Sequence, residues 1–184
     1  RTELDSITNS EEAREKLLAE HKQRVVETKK AAFELSQIRS QKAAELEARV
    51  MDELNDLNMK GTVFSVKISQ EISENGLIED KERKIMLYPH GIDKIEFMLA
   101  ANKGEKLTEL RKAASGGEMS RIMLAIKKVL LAKDIVESLV FDEVDSGISG
   151  KTAEMVGRKL KSLAAERQVF VITHLPQIAA MADR

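Results

Sequence analysis

The 184-residue chain contains no cysteine, which excludes a disulfide framework and any thiolate-ligated metal, and fits a reducing compartment. It also lacks an apolar run long enough to cross a membrane, and its N-terminus lacks a secretory leader pattern, so the sequence reads as soluble and intracellular. Neither sign of charge dominates. With 30 Lys and Arg against 31 Asp and Glu, the formal net charge is −1. Nothing marks the whole chain as an electrostatic nucleic-acid binder, and any such contact must be local or shared with other chains. The chain opens "RTELDS" without an initiator Met, which suggests a piece of a longer or processed protein. Its length and apolar fraction suit one ordinary domain plus an appendage.

Glycine and proline are missing from the first 60 residues, where Ala, Glu, Lys, Arg and Leu dominate; that is the composition of a long exposed helix. Opposite charges recur at helical spacing, as in Glu12/Lys16, Glu20/Arg24 and Glu45/Arg49. Apolar residues mark a narrow stripe through Leu4, Ile7, Leu18, Val25, Ala32, Leu35, Ile38, Leu46, Val50, Leu54 and Leu57. So thin a seam suits a two-stranded coiled coil better than a globular core, although its heptads are imperfect. A continuous helix of this kind would extend roughly 80 Å. The reading is a coiled-coil arm over residues 1–58, whose second strand lies outside this chain. A solvated helix packed on its own domain is the alternative.

Gly61 ends that segment and the periodicity falls to two. "VFSVKI" reads as a strand with Phe64, Val66 and Ile68 on one face, and "KIMLYPHGIDKIEFMLAAN" reads as two strands around the turn "PHGID". His90 in that turn has no acidic or histidine neighbour at ligand spacing and is assigned no role. Beyond Lys106 the pattern becomes α/β. "SGGEMSRIMLAIKKVLLAK" is a helix nearly apolar all round apart from Arg121 and Lys127–Lys128, and is expected to be buried; "SLVFDE" is a short apolar run ended by acids. "KTAEMVGRKLKSLAAE" is an amphipathic helix, and "QVFVITH" a second apolar run ended by a histidine. Strand, crossover helix, strand makes a parallel βαβ unit, whose uniformly apolar strands are expected to be covered on both faces. Its right-handed crossover brings Asp142, Glu143 and His174 to one sheet edge, where open α/β sheets bind ligands.

"DSGISGKT", residues 145–152, carries the end of a phosphate-binding G-x-x-x-x-G-K-[ST] loop, but Asp145 stands where the first glycine is required and follows Asp142 and Glu143. Three carboxylates beside a triphosphate argue against that loop. The complete pattern occurs nowhere in the chain. Ser115 followed by Glu118 forms a capping box, and Gly116–Gly117 leave the N–H groups of the helix start open to an anion. Adjacent strand residues point to opposite sides, so Asp142 and Glu143 cannot serve one ion equivalently. One would hold Mg²⁺ while the other orients and deprotonates a water; solvated strand-end acids are the alternative. His174 either donates a hydrogen bond to a phosphate oxygen or caps the following "LPQIAAMAD" helix.

In this order the pieces resemble the C-terminal lobe of the ATPase head of the ABC/SMC superfamily. "SGGEMSR" is similar to its signature motif, "LVFDE" to Walker B, "VDSGISGK" to the D-loop and "VITH" to the switch histidine. Within the superfamily the runs "LRKAASGGEMSRIMLAIKKVLLAKD", "FDEVDSGISGKTAEMVGRKLKSLA" and "VFVITHLPQIAAMAD" resemble the RecN family of bacterial DNA-repair proteins. The likeness is good over residues 54–184, and weaker in motif along the arm. It implies a lobe over 59–184, with a β-rich part at 59–106 and the motif-bearing part at 107–184. It also implies that the intact protein hydrolyses ATP with Mg²⁺ in double-strand-break repair and recombination, in the bacterial cytoplasm at the nucleoid. ATP-binding would fall to Ser115, Gly116, Gly117 and Glu118, the metal to Asp142, catalysis to Glu143 and His174, and the head interface to Asp145, Ser146 and Gly147. The implied partners are the N-terminal half of the same protein, which carries Walker A, a second copy of the head, and DNA. Without that half the chain is expected to bind ATP poorly or not at all. The alternatives are another chromosome-organising SMC- or Rad50-like ATPase, or a non-catalytic coiled-coil interaction module.

Overall fold

The computed structural model describes residues 2–112, 116–133 and 135–183, with side chains from residue 11 onward, Glu12 excepted. The glycine- and proline-free stretch is one helix, α1 (Thr2–Asp56). After it come β1 (Val63–Gln70), β2 (Ile78–Asp80), β3 (Arg83–Ile85), β4 (Asp93–Ala100), β5 (Thr108–Glu109), α2 (Gly116–Leu130), β6 (Ser138–Phe141), α3 (Gly150–Ala164), β7 (Gln168–Val171) and α4 (Pro176–Ala179). The strands form a three-stranded sheet ordered β1-β4-β5, a β2-β3 hairpin and a β6-β7 pair. Two compact units emerge, one from Arg1–Lys42 with Ile68–Ile95 and the other from Ala43–Lys67 with Glu96–Arg184.

The first unit has a small core of Ala32, Ile78, Ile85 and Ile92, with Phe33 and Leu87 packed against it. A buried carboxylate fixes this packing. Asp93, only 3% exposed, accepts hydrogen bonds from Ser36 Oγ at 2.6 Å and from Arg39 at 3.1 Å, while Arg39 also donates to the His90 carbonyl at 2.8 Å. Burying one carboxylate is tolerable because every charge there meets a partner. The turn at "PHGID" forms as the composition predicts, with Tyr88 and Gly91 exchanging backbone bonds. Its strands do not pair as expected: β3 pairs antiparallel with β2, Ile78 opposite Ile85. A three-residue strand is too short to show a period of two, which hid β2 from the sequence.

The second unit contains the larger core, in which Val50 and Leu54 of the last turns of α1, with Leu57 just beyond its end, meet Phe64, Leu99 and the apolar faces of α2 and α3. The apolar stripe of α1 therefore divides. Leu54 is fully buried, whereas Leu18 and Ile38 are 49% and 54% exposed; the side chains of Leu4 and Ile7 lie outside the described residues. Lys159 of α3 ties back to α1, donating to Glu53 at 2.6 Å and Asp56 at 2.7 Å. Burial alone would lower its pKa, but the bonds to Asp56 and Glu53 outweigh that and raise it.

β6 and β7 pair in parallel, Ser138 opposite Gln168 and Phe141 opposite Val171, with α3 as the crossover. Leu139, Val169 and Val171 pack on the core, and Phe141 lies within it. The expectation that both faces are covered fails within this chain: Val140, Phe170 and Ile172 are 68%, 52% and 60% exposed. The closing helix is also shorter than expected, a single turn at α4.

These burials set the cost of truncation. Leu54→Ala should destabilise the chain by about 2–5 kcal/mol, since it leaves a cavity in close-packed surroundings. Leu18→Ala on the same helix should change stability by less than about 0.5 kcal/mol. Urea unfolding followed by helical circular dichroism distinguishes the two.

Candidate functional site

The parallel register carries Asp142 and Glu143 off the end of β6 and Thr173 and His174 off the end of β7, on the same sheet edge. The segments after both strands are joined by one carboxylate. Asp145 is 3% exposed, and its Oδ2 accepts from Thr173 Oγ1 at 2.5 Å and from the His174 amide at 2.9 Å. The Nδ1 of His174 lies 3.2 Å from the same oxygen. That contact leaves Nε2 on a side chain that is 79% exposed. Burial alone would raise the Asp145 pKa; the bonds from Thr173 and the His174 amide, with the nearby imidazole, outweigh it and hold the carboxyl below its ordinary value. His174 does not cap the following helix, whose N-cap position is Leu175.

α2 delivers its N-terminal tip to the loop that follows β6. Ser120 Oγ donates to the Asp142 carbonyl at 2.6 Å, and Arg121 reaches the carbonyls of Ser146 at 2.8 Å and Val144 at 3.3 Å. This approach requires Gly117, and Gly116 leaves room for the Glu143 side chain. A Cβ on Gly117 would stand 2.6 Å from the Ser146 Cβ and 3.0 Å from the Glu143 and Ser146 carbonyl oxygens, and one on Gly116 would collide with the Glu143 carboxylate. That carboxylate therefore rests against the positive end of α2, where the helix dipole favours an oxyanion. Glu143 adopts φ 57°, a left-handed conformation uncommon outside glycine, and the loop also needs Gly147 at φ 71°.

Gly116, Glu118, Asp142, Glu143, Ser146, Gly147 and His174 are exposed, Gly117 and Asp145 are buried, and Ser115 lies outside the described residues. Of the three residues assigned to a head interface, Asp145 has its carboxylate engaged within the chain, and Ser146 and Gly147 form the surface. Asp142 Oδ1 accepts from the Glu143 amide at 2.8 Å, which orients an exposed carboxylate of the kind that binds Mg²⁺ alongside phosphate oxygens. Among the described residues no cluster of three His, Asp or Glu side chains forms a complete metal cage. A polar cleft of about 410 Å³ along the flank of α2 is walled by Glu118, Arg121, Gly147, Ser149 and Thr152. Lys151 and Thr152, the tail of the near-match to a phosphate loop, belong to the first turn of α3. Sequence reading gave no role to Ser120, Arg121 or Thr173. An arginine on the buried side of an apolar helix was the one signal available.

Two substitutions test this geometry. Asp145→Asn keeps the shape but removes the charge from two donors and the nearby imidazole, and should cost about 1–3 kcal/mol in chemical unfolding. Because the folded pKa is lowered, the wild-type contribution is present above the ordinary carboxylate value and is lost as pH falls through the lowered one. The variant should lack that acid-side decline. Gly117→Ala should displace the loop, read as faster amide exchange at Ser146 and Ile148.

No family model matches the chain. It is 38% identical over 185 residues to the DNA repair protein RecN of Bacillus subtilis, covering 98% of this chain and 32% of that protein. It is 38% identical to RecN of Halalkalibacterium halodurans over 181 residues, 98% of this chain and 30% of that protein. RecN of Treponema pallidum is 44% identical over 135 residues, 73% of this chain and 22% of that protein. Among solved structures it resembles the Smc head domain with an extended coiled coil from Pyrococcus furiosus, at TM-score 0.51 and 20% identity, over 79% of this chain and 31% of that one. The Smc head domain with a coiled coil and joint from Pyrococcus yayanosii matches equally at 0.51 and 20%, over 79% and 24%. The fold is thus that of an SMC-type head lobe with its coiled coil. The chain spans about a third of the length of the curated relatives it matches, and nearly its whole length aligns with curated proteins of the name DNA repair protein RecN.

Proposed function

We propose that the intact protein is an ATPase of DNA double-strand-break repair and recombination, and that this chain supplies the C-terminal lobe of its head, residues 59–184, on a coiled-coil arm, residues 1–58. One observation carries the reading. Two acids and a histidine leave one edge of a parallel strand pair, and a glycine-bared helix tip packs against the same loop. Asp142 would hold Mg²⁺ together with phosphate oxygens, and the bound ATP–Mg²⁺ supplies the electrophilic phosphoryl group. Glu143 leaves the α2 tip to orient and deprotonate the attacking water. His174, positioned by Asp145 through its amide, meets the outer phosphate through Nε2.

In this reading Ser115, Gly116, Gly117 and Glu118 meet the nucleotide of a second copy of the head, with Ser146 and Gly147 beside them at the interface. Each charge-assisted bond to phosphate contributes about 1.5–3 kcal/mol, so a few of them in trans make dimerisation depend on ATP. The N-terminal half, bearing Walker A, packs on the face of β6 and β7 that leaves Val140, Phe170 and Ile172 uncovered. An exposed apolar face on a two-stranded pair is a large area to leave in water, which supports a covering partner. The exposed Leu17, Leu18 and Val26 of α1 take the second strand of the coiled coil. The arm transmits opening and closing to DNA, in the bacterial cytoplasm at the nucleoid.

Mixing this chain with a separately produced N-terminal half should restore Mg²⁺-dependent ATP hydrolysis that neither half shows alone. Complex formation without turnover would favour a non-catalytic interaction module. In the intact protein, Glu143→Gln should keep ATP-induced dimerisation while hydrolysis falls by about 10²–10⁴-fold, the range of a lost general base. Undiminished turnover would remove Glu143 from that role.

A further inference from the structure

Arg121 is the anomaly of α2. It is 7% exposed, among Ile122, Leu124 and Ala125, which are buried completely or nearly so. Burial pushes its guanidinium pKa down from the ordinary value, with Glu118 one turn earlier pulling the other way. Its Nε is buried without a hydrogen-bond partner. A methionine or leucine would fill this position without taking a charge out of water. The return on that cost is specific: NH1 donates to the Ser146 carbonyl at 2.8 Å and the Val144 carbonyl at 3.3 Å. Both acceptors lie in the loop between β6 and α3.

That loop is held from two sides. On the β7 side Asp145 takes the Thr173 hydroxyl and the His174 amide. On the α2 side Arg121 takes two carbonyls, one turn from Gly117, whose missing Cβ lets the helix touch Ser146. Between the two anchors stand Ser146 and Gly147, exposed, with the Ser146 amide turned back onto the Glu143 carbonyl at 3.0 Å. We infer that Arg121 is a positioning residue: it locks the Ser146–Gly147 segment in register with the Gly116–Gly117 tip, so that both present one rigid surface to the second head. This rests on the ATPase reading above and deepens it. Arg121 acts through the loop and touches neither nucleotide nor metal. A single planar cation reaching two carbonyls makes the helix tip and the loop move together.

The test uses the intact protein with Arg121→Met, Arg121→Lys and the wild type. Arg121→Met removes the donors while keeping the volume. It should melt at or above the wild-type temperature and bind a fluorescent ATP analogue on unpaired heads within about twofold of wild type. Amide exchange at Ser146 and Ile148 should quicken, and ATP-induced dimerisation and kcat should each fall about tenfold or more, as expected for the loss of two charge-assisted bonds. Arg121→Lys, a cation without the planar fork, should fall between. Unchanged exchange at the loop, or faster exchange with unchanged dimerisation, overturns the inference. So does a parallel loss of melting temperature, nucleotide binding and dimerisation in both variants, which would mean a purely structural arginine. A wild type that neither hydrolyses ATP nor dimerises with it sinks the ATPase reading, and with it a role for Arg121 in head closure; a wild type that does both, matched by Arg121→Met, sinks the inference alone.

Discussion

The parallel pairing of β6 with β7 is the constraint on which the rest of this site depends. A parallel pair needs a crossover, and α3 provides it, so the two strands end on the same edge by topology rather than by any special contact. Asp142 and Glu143 are separated from His174 by the whole of that crossover, yet their strands' register leaves no choice about where they emerge. A slip of one residue would send the inward Phe141 outward and turn the acids to the wrong side.

Around that edge the chain concentrates unusual backbone. Glu143 takes a left-handed conformation, Gly147 another, and Gly117 allows α2 to approach until a methyl group would no longer fit. Left-handed non-glycine residues are uncommon and cluster at ligand sites. Here the surroundings hold the loop: the Asp145 carboxylate accepts two hydrogen bonds, and Ser120 and Arg121 bond to the loop's carbonyls. The Glu143 carboxylate rests on the α2 tip. Two oxyanions cannot occupy one helix end, so a phosphate arriving there competes with that carboxylate.

Much of this was legible before any coordinates. The α2, β6, α3 and β7 segments follow from apolar periodicity and short apolar runs, and the edge follows from the handedness of crossovers. The long helix follows from what its segment lacks. Other features left no mark in the sequence. β2 is three residues long, below the length at which alternation is visible. The burial of Asp145 is one of these, because its partners Thr173 and His174 follow another strand and only folding brings them near. Arg121 stood out by its charge, but its acceptors are backbone carbonyls, which every residue has. The uncovered face of β6 and β7 defied the expectation for parallel strands because its cover is not supplied by these residues.

The central claim is that this edge and the α2 tip serve two different nucleotides across a pair of heads. A crystal structure of the intact protein with a non-hydrolysable ATP analogue and Mg²⁺ tests it most directly. The account predicts Glu143 and His174 within about 3 Å of the water and oxygens around the outer phosphate of one nucleotide, a hydrogen-bonding separation, and Gly116 and Gly117 against the nucleotide held by the other head. A dimer in which the α2 tip meets no phosphate, with Glu143 still resting on Gly116, would contradict it.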